Sequence, residues 1–179
     1  MRTNALKAKL RAGQRVVGVL VMTPDPGLVE LFGHLGYDFA FLDAQHGGIG
    51  VETARELIRA AELTGMTPLV RVPRNDASVI LEYLDAGAGG IIVPNVRSRA
   101  EAEAAVQAIK YPPRGTRGAM TASRAAHYGV TQSAAEYFRR ANEETLFAPL
   151  LEDREVLDVI PEVVGVDGVD VVLIGPGDL

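Results

Sequence analysis

Short apolar runs alternate along this chain with longer segments in which apolar side chains recur at helical spacing. Runs of near-continuous apolar residues are typical of strands that are covered on both faces, as in parallel sheets. The sequence therefore predicts six parallel strands, at Val16–Met22, Phe39–Leu42, Pro68–Val72, Gly90–Pro94, Leu146–Leu151 and Val171–Ile174.

The segments between the predicted strands carry the start and stop signals of helices. Short polar side chains accept hydrogen bonds from the free amides of a first turn, and a glycine after the last turn adopts the left-handed conformation that ends the helix. These signals predict helices from Asp25 and Pro26 to Gly36, over Val51–Thr64 up to Gly65, from Asn75 to near Gly87, and after Ser98. Residues 111–131 interrupt the alternation with a stretch rich in Gly, Pro and Arg, which we interpret as a functional loop or an interface element.

Alternating strands and helices fit either an open doubly wound sheet or a (β/α)8 barrel. A dinucleotide-binding sheet would carry G-x-G-x-x-G after its first strand, whereas TPDPG follows here. Polar residues stand at or just past the ends of the apolar runs, as functional groups do at the mouth of a barrel; these residues are Asp43, Arg71, Glu152 and Asp178. We therefore predict an α/β fold, a TIM barrel formed by one domain over residues 1–179 and cut short after about six βα units.

The composition excludes several classes of function. The net charge is -5, so the chain lacks the basic surface that supplies most of the affinity for nucleic acid. It has no cysteine, so any metal must be held by Asp, Glu, His or backbone oxygen. Neither a signal peptide nor an apolar run of about 18 residues is present, and we predict a cytoplasmic protein without a membrane partner.

The loop after the second run brings a carboxylate close to an imidazole. Asp43 and His46 lie within one turn of each other in DAQHGG, and a histidine titrates near neutral pH, which suits a proton carrier. A histidine that hydrogen-bonds only within its own loop is the alternative. Arg71 ends the third run, where it either forms a structural ion pair with Asp43 or Asp85 or stabilises a developing oxyanion.

The fifth and sixth runs are followed by acidic residues, Glu152 and Asp178, which would project from neighbouring strand ends. Close carboxylates repel each other unless a proton or a cation lies between them. Hard oxygen ligands favour Mg²⁺ or Mn²⁺, with Co²⁺ as a further candidate. The glycines of IGPGDL, among them Gly177, leave backbone N–H groups free to bind a substrate carboxylate beside Asp178. Helix caps, arginine partners or a plain turn would explain the same residues without any ligand.

Seven blocks of the sequence carry a resemblance that covers nearly the whole chain. They are FLDAQHGG, PLVRVPRND, LDAGAGGIIVPNV, YPPRGTRG, RAAHYG, LLEDREVL and GVDGVDVVLIGPGDL. In this order and spacing they resemble the HpcH/HpaI aldolase/citrate lyase family, specifically its class II pyruvate aldolases for 4-hydroxy-2-oxo acids. The resemblance implies a (β/α)8 barrel, a divalent metal held by Glu152 and Asp178, and assembly as a homo-hexamer.

The same resemblance implies a role for each candidate residue. A 2-oxo acid would chelate the metal, and Arg71 would help the metal to stabilise the enolate. His46 would carry the proton, with Asp43 near the metal-bound water and Asp85 near the histidine. The implied reaction joins pyruvate or hydroxypyruvate to an aldehyde, or reverses that step.

Three features depart from the family pattern. Gln45 stands where many members carry Glu, and Leu150 stands where some members place a polar Gln that contacts pyruvate. The chain also ends directly after the Asp178 region, whereas the family continues through two further βα units. Two other functions therefore stay open, a CoA-ester lyase of the citrate lyase type and an incomplete, non-catalytic barrel.

Overall fold

Parallel strands and helices alternate in the computed structural model, which describes residues 2–177. Within these residues the strands are β1 (Gly18–Val21), β2 (Phe39–Asp43), β3 (Thr67–Arg71), β4 (Gly90–Val93), β5 (Leu146–Leu151) and β6 (Leu173–Ile174). The helices are α1 (Ala5–Arg11), α2 (Pro26–His34), α3 (Val51–Leu63), α4 (Ala77–Ala86), α5 (Arg99–Ile109), α6 (Ala134–Glu144) and α7 (Ile160–Val164). None of the helices described is both long enough and apolar enough to cross a membrane.

The strands form one sheet in the order β1-β2-β3-β4-β5-β6, and every neighbouring pair is parallel. Spatial order therefore follows chain order. An open doubly wound sheet reverses its strand order at a switch point, whereas the wall of a barrel does not. The prediction of an α/β fold of the TIM-barrel type is confirmed.

Buried apolar side chains form a cluster on each face of the sheet. The outer cluster joins the strands to the helices, with Leu57 and Ile58 of α3 and Leu84 of α4 among its members. The opposite face carries the interior cluster, whose fully buried members are Leu6, Leu69, Ile92, Leu146, Ala148 and Leu150. Because Leu6 belongs to α1, that helix covers the amino-terminal end of the interior, and the carboxyl end of the sheet is left for the polar residues.

The helix signals were largely correct, with one exception at α4. Asp25 caps α2, Ser98 caps α5 and Gly87 ends α4 in the left-handed conformation, as predicted. The predicted cap of α4 was Asn75, but the cap is Asp76, whose Oδ1 accepts hydrogen bonds from the amides of Ser78 and Val79. The Asn75 side chain instead donates to the backbone oxygen of Glu101.

The two outermost strands are shorter than their apolar runs. The amide of Val17 bonds to the carboxylate of Asp38, and the amide of Phe147 bonds to the carboxylate of Asp170. The same two pairs also share backbone bonds, from the amide of Asp38 to the oxygen of Val17 and from the amide of Asp170 to the oxygen of Phe147. An apolar run thus marks a strand but not its exact ends.

The irregular stretch 111–131 packs back onto the helix layer. Arg117 is almost fully buried and donates to Asp85 at 2.7 Å, while Arg124 donates to the backbone oxygen of Ala86. The segment is therefore an ordered part of this chain, and its use as an interface stays a prediction.

Candidate active site

Three of the predicted side chains share the interior face of the sheet at its carboxyl end. Asp43 ends β2, Arg71 ends β3, and Glu152 follows β5. Successive residues of a strand point to opposite faces. The residue two positions before each of the three belongs to, or packs against, the interior cluster. Alternation therefore directs all three side chains to the mouth of the interior.

Asp43 and Arg71 form a two-point ion pair across neighbouring strands. Arg71 Nε donates to Asp43 Oδ1 at 2.9 Å, and Nη2 donates to Oδ2 at 2.6 Å. The pair follows from the register, because Asp43 lies directly opposite Arg71 in the ladder between β2 and β3. Nη1 makes no hydrogen bond to the described residues, so two N–H donors of the guanidinium stay available to a ligand.

The Asp43 carboxylate also organises the loop that carries the histidine. It is fully buried, and its Oδ1 accepts hydrogen bonds from the backbone amides of Gln45 and His46 at 3.0 and 3.1 Å. Burial raises the pKa of this carboxyl, but the hydrogen bonds from Arg71 and from the two amides outweigh burial and hold the pKa below its ordinary value. Asp43 is therefore ionised at neutral pH and links the arginine to the loop.

His46 is exposed at the mouth, in the turn that follows β2. The backbone amide of His46 bonds to Asp43, so the turn that carries the imidazole is anchored to the ion pair of Asp43 and Arg71. The neighbouring Gln45 has a buried Oε1 without a hydrogen-bond partner among the described residues. Gln45 stands where many members of the family that the sequence resembles carry Glu, so the side chain beside His46 is here a neutral amide.

Glu152 is a buried carboxylate, 9% exposed, that pairs with no cationic side chain of residues 2–177. Its Oε1 accepts a hydrogen bond from the backbone amide of Asn95 at 2.9 Å. The adjacent Asp153 behaves differently, because it forms an ion pair with Arg97. An arginine partner, one of the alternatives for Glu152, is therefore not found among the described residues, where the arginine at this position binds Asp153 instead.

The segment leading to Asp178 runs directly beside Glu152. The amide of Gly175 donates to the backbone oxygen of Leu151 at 2.9 Å, and a Cβ on Gly175 would lie only 2.9 Å from the Glu152 Cβ. Gly177 belongs to the exposed turn that follows. Asp178 itself lies outside the described residues, and within them no three His, Asp or Glu side chains form a metal-binding group. Of the two predicted metal ligands, the structure therefore describes only Glu152.

Asp85 is placed away from the other candidates within this chain. It lies in the last turn of α4, and a helix that connects parallel strands runs back to the amino-terminal end of the sheet. There its carboxylate accepts a hydrogen bond from Arg117, and no bond among the described residues joins it to His46. The structure therefore brings Asp43, His46 and Arg71 together and leaves Asp85 at the opposite rim.

Two further residues lie near Glu152: Leu150, which the sequence singled out, and Asn95, which it did not. Leu150 is buried in the interior cluster, so an apolar side chain fills the position of the polar Gln of some family members. Asn95, which bonds to Glu152, was not a candidate. The available signal was an asparagine directly after Pro94, which ends the fourth apolar run, since asparagine often adopts the left-handed conformation found here, with φ 53°.

Comparisons with known proteins agree with this arrangement. The sequence model of the HpcH/HpaI aldolase/citrate lyase family matches residues 17–179. A hydroxypyruvate/pyruvate aldolase of Sagittula stellata is 42% identical over 98% of this chain and 68% of its own length. Among solved structures, a member of the same family from Burkholderia cenocepacia is similar with a TM-score of 0.92 and 28% identity, over 99% of this chain and 70% of the other.

A citrate synthase, SbnG, is similar with a TM-score of 0.85 and 34% identity, over 97% of this chain and 66% of its own. The chain therefore spans about two thirds of the length of these relatives. Both the sequence match and the shared sheet topology extend over almost all of the chain, which belongs to the HpcH/HpaI aldolase/citrate lyase family.

Proposed function

We propose that this carbon–carbon lyase is a metal-dependent aldolase that cleaves 4-hydroxy-2-oxo acids into pyruvate or hydroxypyruvate and an aldehyde, and runs the addition in reverse. The observation that supports the proposal most directly is the buried Glu152 carboxylate, which has no cationic side chain beside it among the described residues. The relative with 42% identity is a hydroxypyruvate/pyruvate aldolase, which supports pyruvate or hydroxypyruvate as the compound that forms the enolate.

The residues present fit a divalent cation. An ionised carboxylate in a buried position is costly unless a positive charge compensates it, and oxygen ligands favour Mg²⁺, Mn²⁺ or Co²⁺. Glu152 and Asp178 would hold the ion, since the Gly175 turn passes beside Glu152 immediately before Asp178. When bound, such an ion supplies Lewis-acid charge to the keto oxygen of the 2-oxo acid.

Arg71 would stabilise the enolate oxygen through its Nη1 donors. Asp43 holds the other edge of the guanidinium at two points, so the free edge is presented in one orientation. A fixed donor at a developing negative charge costs no reorganisation during the reaction. The ion pair and the oxyanion role, which the sequence left as alternatives, are thus compatible uses of different N–H groups.

His46 would move the protons. In cleavage, the base takes the proton of the C4 hydroxyl, the C4–O bond becomes the carbonyl of the aldehyde, and the C3–C4 bond breaks. The electron pair of that bond forms the C2=C3 bond of the enolate of pyruvate or hydroxypyruvate. A proton then returns to C3. The position of His46 on a turn anchored by Asp43 supports this role, because a proton carrier has to reach both oxygen and carbon of the substrate.

The citrate synthase relative gives a specific reason to keep a second candidate in the same family. The second candidate is a lyase that acts on a CoA ester, and the similarity to a citrate synthase supports it because that enzyme also forms a carbon–carbon bond. The identity of 42% to an aldolase and the compact loop at His46 favour the aldolase. A hexameric assembly, a cytoplasmic location and Gly177 as a substrate-carboxylate ligand belong to the same proposal.

The decisive experiment compares Glu152→Gln with Asp153→Asn. Both changes replace a carboxylate by its amide, but among the described residues Asp153 has an arginine partner and Glu152 has none. We expect Glu152→Gln to weaken Mn²⁺ binding at least about 100-fold, since changes even to outer-shell groups often cost 10–100-fold. Asp153→Asn should leave the affinity unchanged.

The readouts are calorimetric Mn²⁺ titration and release of pyruvate from a 4-hydroxy-2-oxo acid. Chelation should abolish the activity, and added Mn²⁺ should restore it. An acyl-CoA ester tested in parallel distinguishes the second candidate. Equal metal affinity in both variants, or cleavage that survives chelation, would contradict the proposed metal site.

A further inference from the structure

We infer that Asn95 is a positioning residue for the metal ligand Glu152, and that it acts through its left-handed backbone conformation. The inference rests on the proposed function, because it assumes that Glu152 binds the metal. It concerns a residue for which neither the sequence motifs nor the comparisons supply a role.

The contact itself is a charge-assisted hydrogen bond. The backbone amide of Asn95 donates to Glu152 Oε1 at 2.9 Å. Within residues 2–177, Glu152 Oε1 accepts this hydrogen bond alone, and Glu152 Oε2 accepts none. With Oε1 fixed by the amide, Oε2 is left on the side of Gly175, where a Cβ would lie 3.4 Å from it. The amide therefore selects which carboxylate oxygen is presented towards the turn that precedes Asp178.

The conformation of Asn95 makes this contact compatible with the rest of the sheet. Its φ is 53°, and the next amide, of Val96, donates to the backbone oxygen of Leu150 at 3.3 Å. Two consecutive N–H groups thus reach two acceptors on the same neighbouring segment, one in the side chain of Glu152 and one in the backbone. The φ and ψ of Asn95 lie between these two amides and set their relative orientation, so the left-handed conformation is the one in which both bonds are formed here.

The side chain of Asn95 does not carry the role. It is exposed and forms no hydrogen bond with the described residues. What matters is the tolerance of asparagine for the left-handed region, which other L-residues enter at a cost, β-branched ones most of all. A comparison of substitutions that all remove the amide side chain of Asn95 therefore isolates the effect of the backbone conformation.

The experiment compares Asn95→Val with Asn95→Gly. Valine disfavours the left-handed conformation, so Mn²⁺ affinity should fall by about five- to thirtyfold, the factor that corresponds to the strain of that conformation. Glycine adopts it freely and should retain affinity within about twofold. With saturating Mn²⁺, kcat of Asn95→Val should return to near the wild-type value, because a positioning defect is overcome by excess metal.

Tyr128→Val is the matched control for general backbone strain. Tyr128 is also exposed and left-handed, with φ 57°, but lies in the irregular segment away from Glu152. It should lower the unfolding temperature as Asn95→Val does and leave Mn²⁺ affinity unchanged. Where Asn95→Val reduces the yield of folded protein, Asn95→Ala allows the same comparison with a smaller strain.

Wild-type Mn²⁺ affinity in Asn95→Val, together with a loss in Glu152→Gln, would overturn the positioning role and leave the proposed function intact. Unchanged affinity in Glu152→Gln would overturn both. Equal losses in Asn95→Val and Tyr128→Val would show that strain acts on metal binding through general stability, which also overturns the inference.

Discussion

Replacing Arg71 by lysine separates the two uses of the guanidinium. In the wild type, Nε and Nη2 bind the buried Asp43, and the two N–H groups of Nη1 stay free among the described residues. A lysine keeps the positive charge but presents its three donors from one point. It can satisfy Asp43 or reach an enolate oxygen, but it cannot do both in the orientation that the arginine provides.

The expected loss in kcat is that of one oxyanion donor, on the order of 10²–10³, or about 3–4 kcal/mol in the activation barrier. One of the two hydrogen bonds to Asp43 is also lost, and a bond to a charged group contributes about 1.5–3 kcal/mol to stability. The variant should therefore fold, with an unfolding temperature lowered by several degrees.

Arg97→Lys is the control, because Arg97 binds Asp153 with the same two-point geometry, at 2.6 and 3.3 Å, but with its side chain 55% exposed. Exposed pairs contribute little to stability, and Arg97 has no part in the proposed chemistry. The assay is steady-state pyruvate release at saturating Mn²⁺, with thermal unfolding of both variants. A decrease in kcat of less than about threefold for Arg71→Lys would refute the oxyanion role.

Two further predictions address the proton carrier and a buried lysine. His46→Ala should slow both cleavage and exchange of the methyl protons of pyruvate into D₂O, followed by NMR; unchanged exchange would assign the base to another group. Burial, with the nearby Lys7 charge, lowers the pKa of Lys110 from 10.5 to about 7, and its Nζ donates to the backbone oxygens of Asn142 and Thr145. At a pH between these two pKa values, the unfolded chain binds more protons than the folded one. The free energy of unfolding should therefore rise with pH, by up to about 1.4 kcal/mol per pH unit. Lys110→Met should remove this rise in urea unfolding between about pH 7 and 10, and an unchanged slope would assign it to another group.

Local signals in the sequence determined the strands, most helix ends and the position of the candidate residues along the chain. Apolar runs marked the strands because parallel strands are covered on both faces, and the polar residues that end them mark the carboxyl edge of the sheet. Asp43, Arg71 and Glu152 could be assigned to one mouth for this reason. The helix caps at Asp25 and Ser98 could be read because a cap depends on only a few neighbouring residues.

The choice of partners was decided only by the tertiary structure. Arg71 meets Asp43 because β2 and β3 align them, whereas Asp85 is carried by the reversed direction of α4 to the other rim and meets Arg117. Asn75 bonds to Glu101 of α5, which is far from it in the sequence, and the role proposed for Asn95 rests on its bond to Glu152. Hydrophobic periodicity records which face a residue occupies, but it carries no information about distances between segments far apart in the chain. Those distances are set when the strands pair and the helices pack, and they determine which charges neutralise each other and which carboxylate has no cationic partner among the described residues.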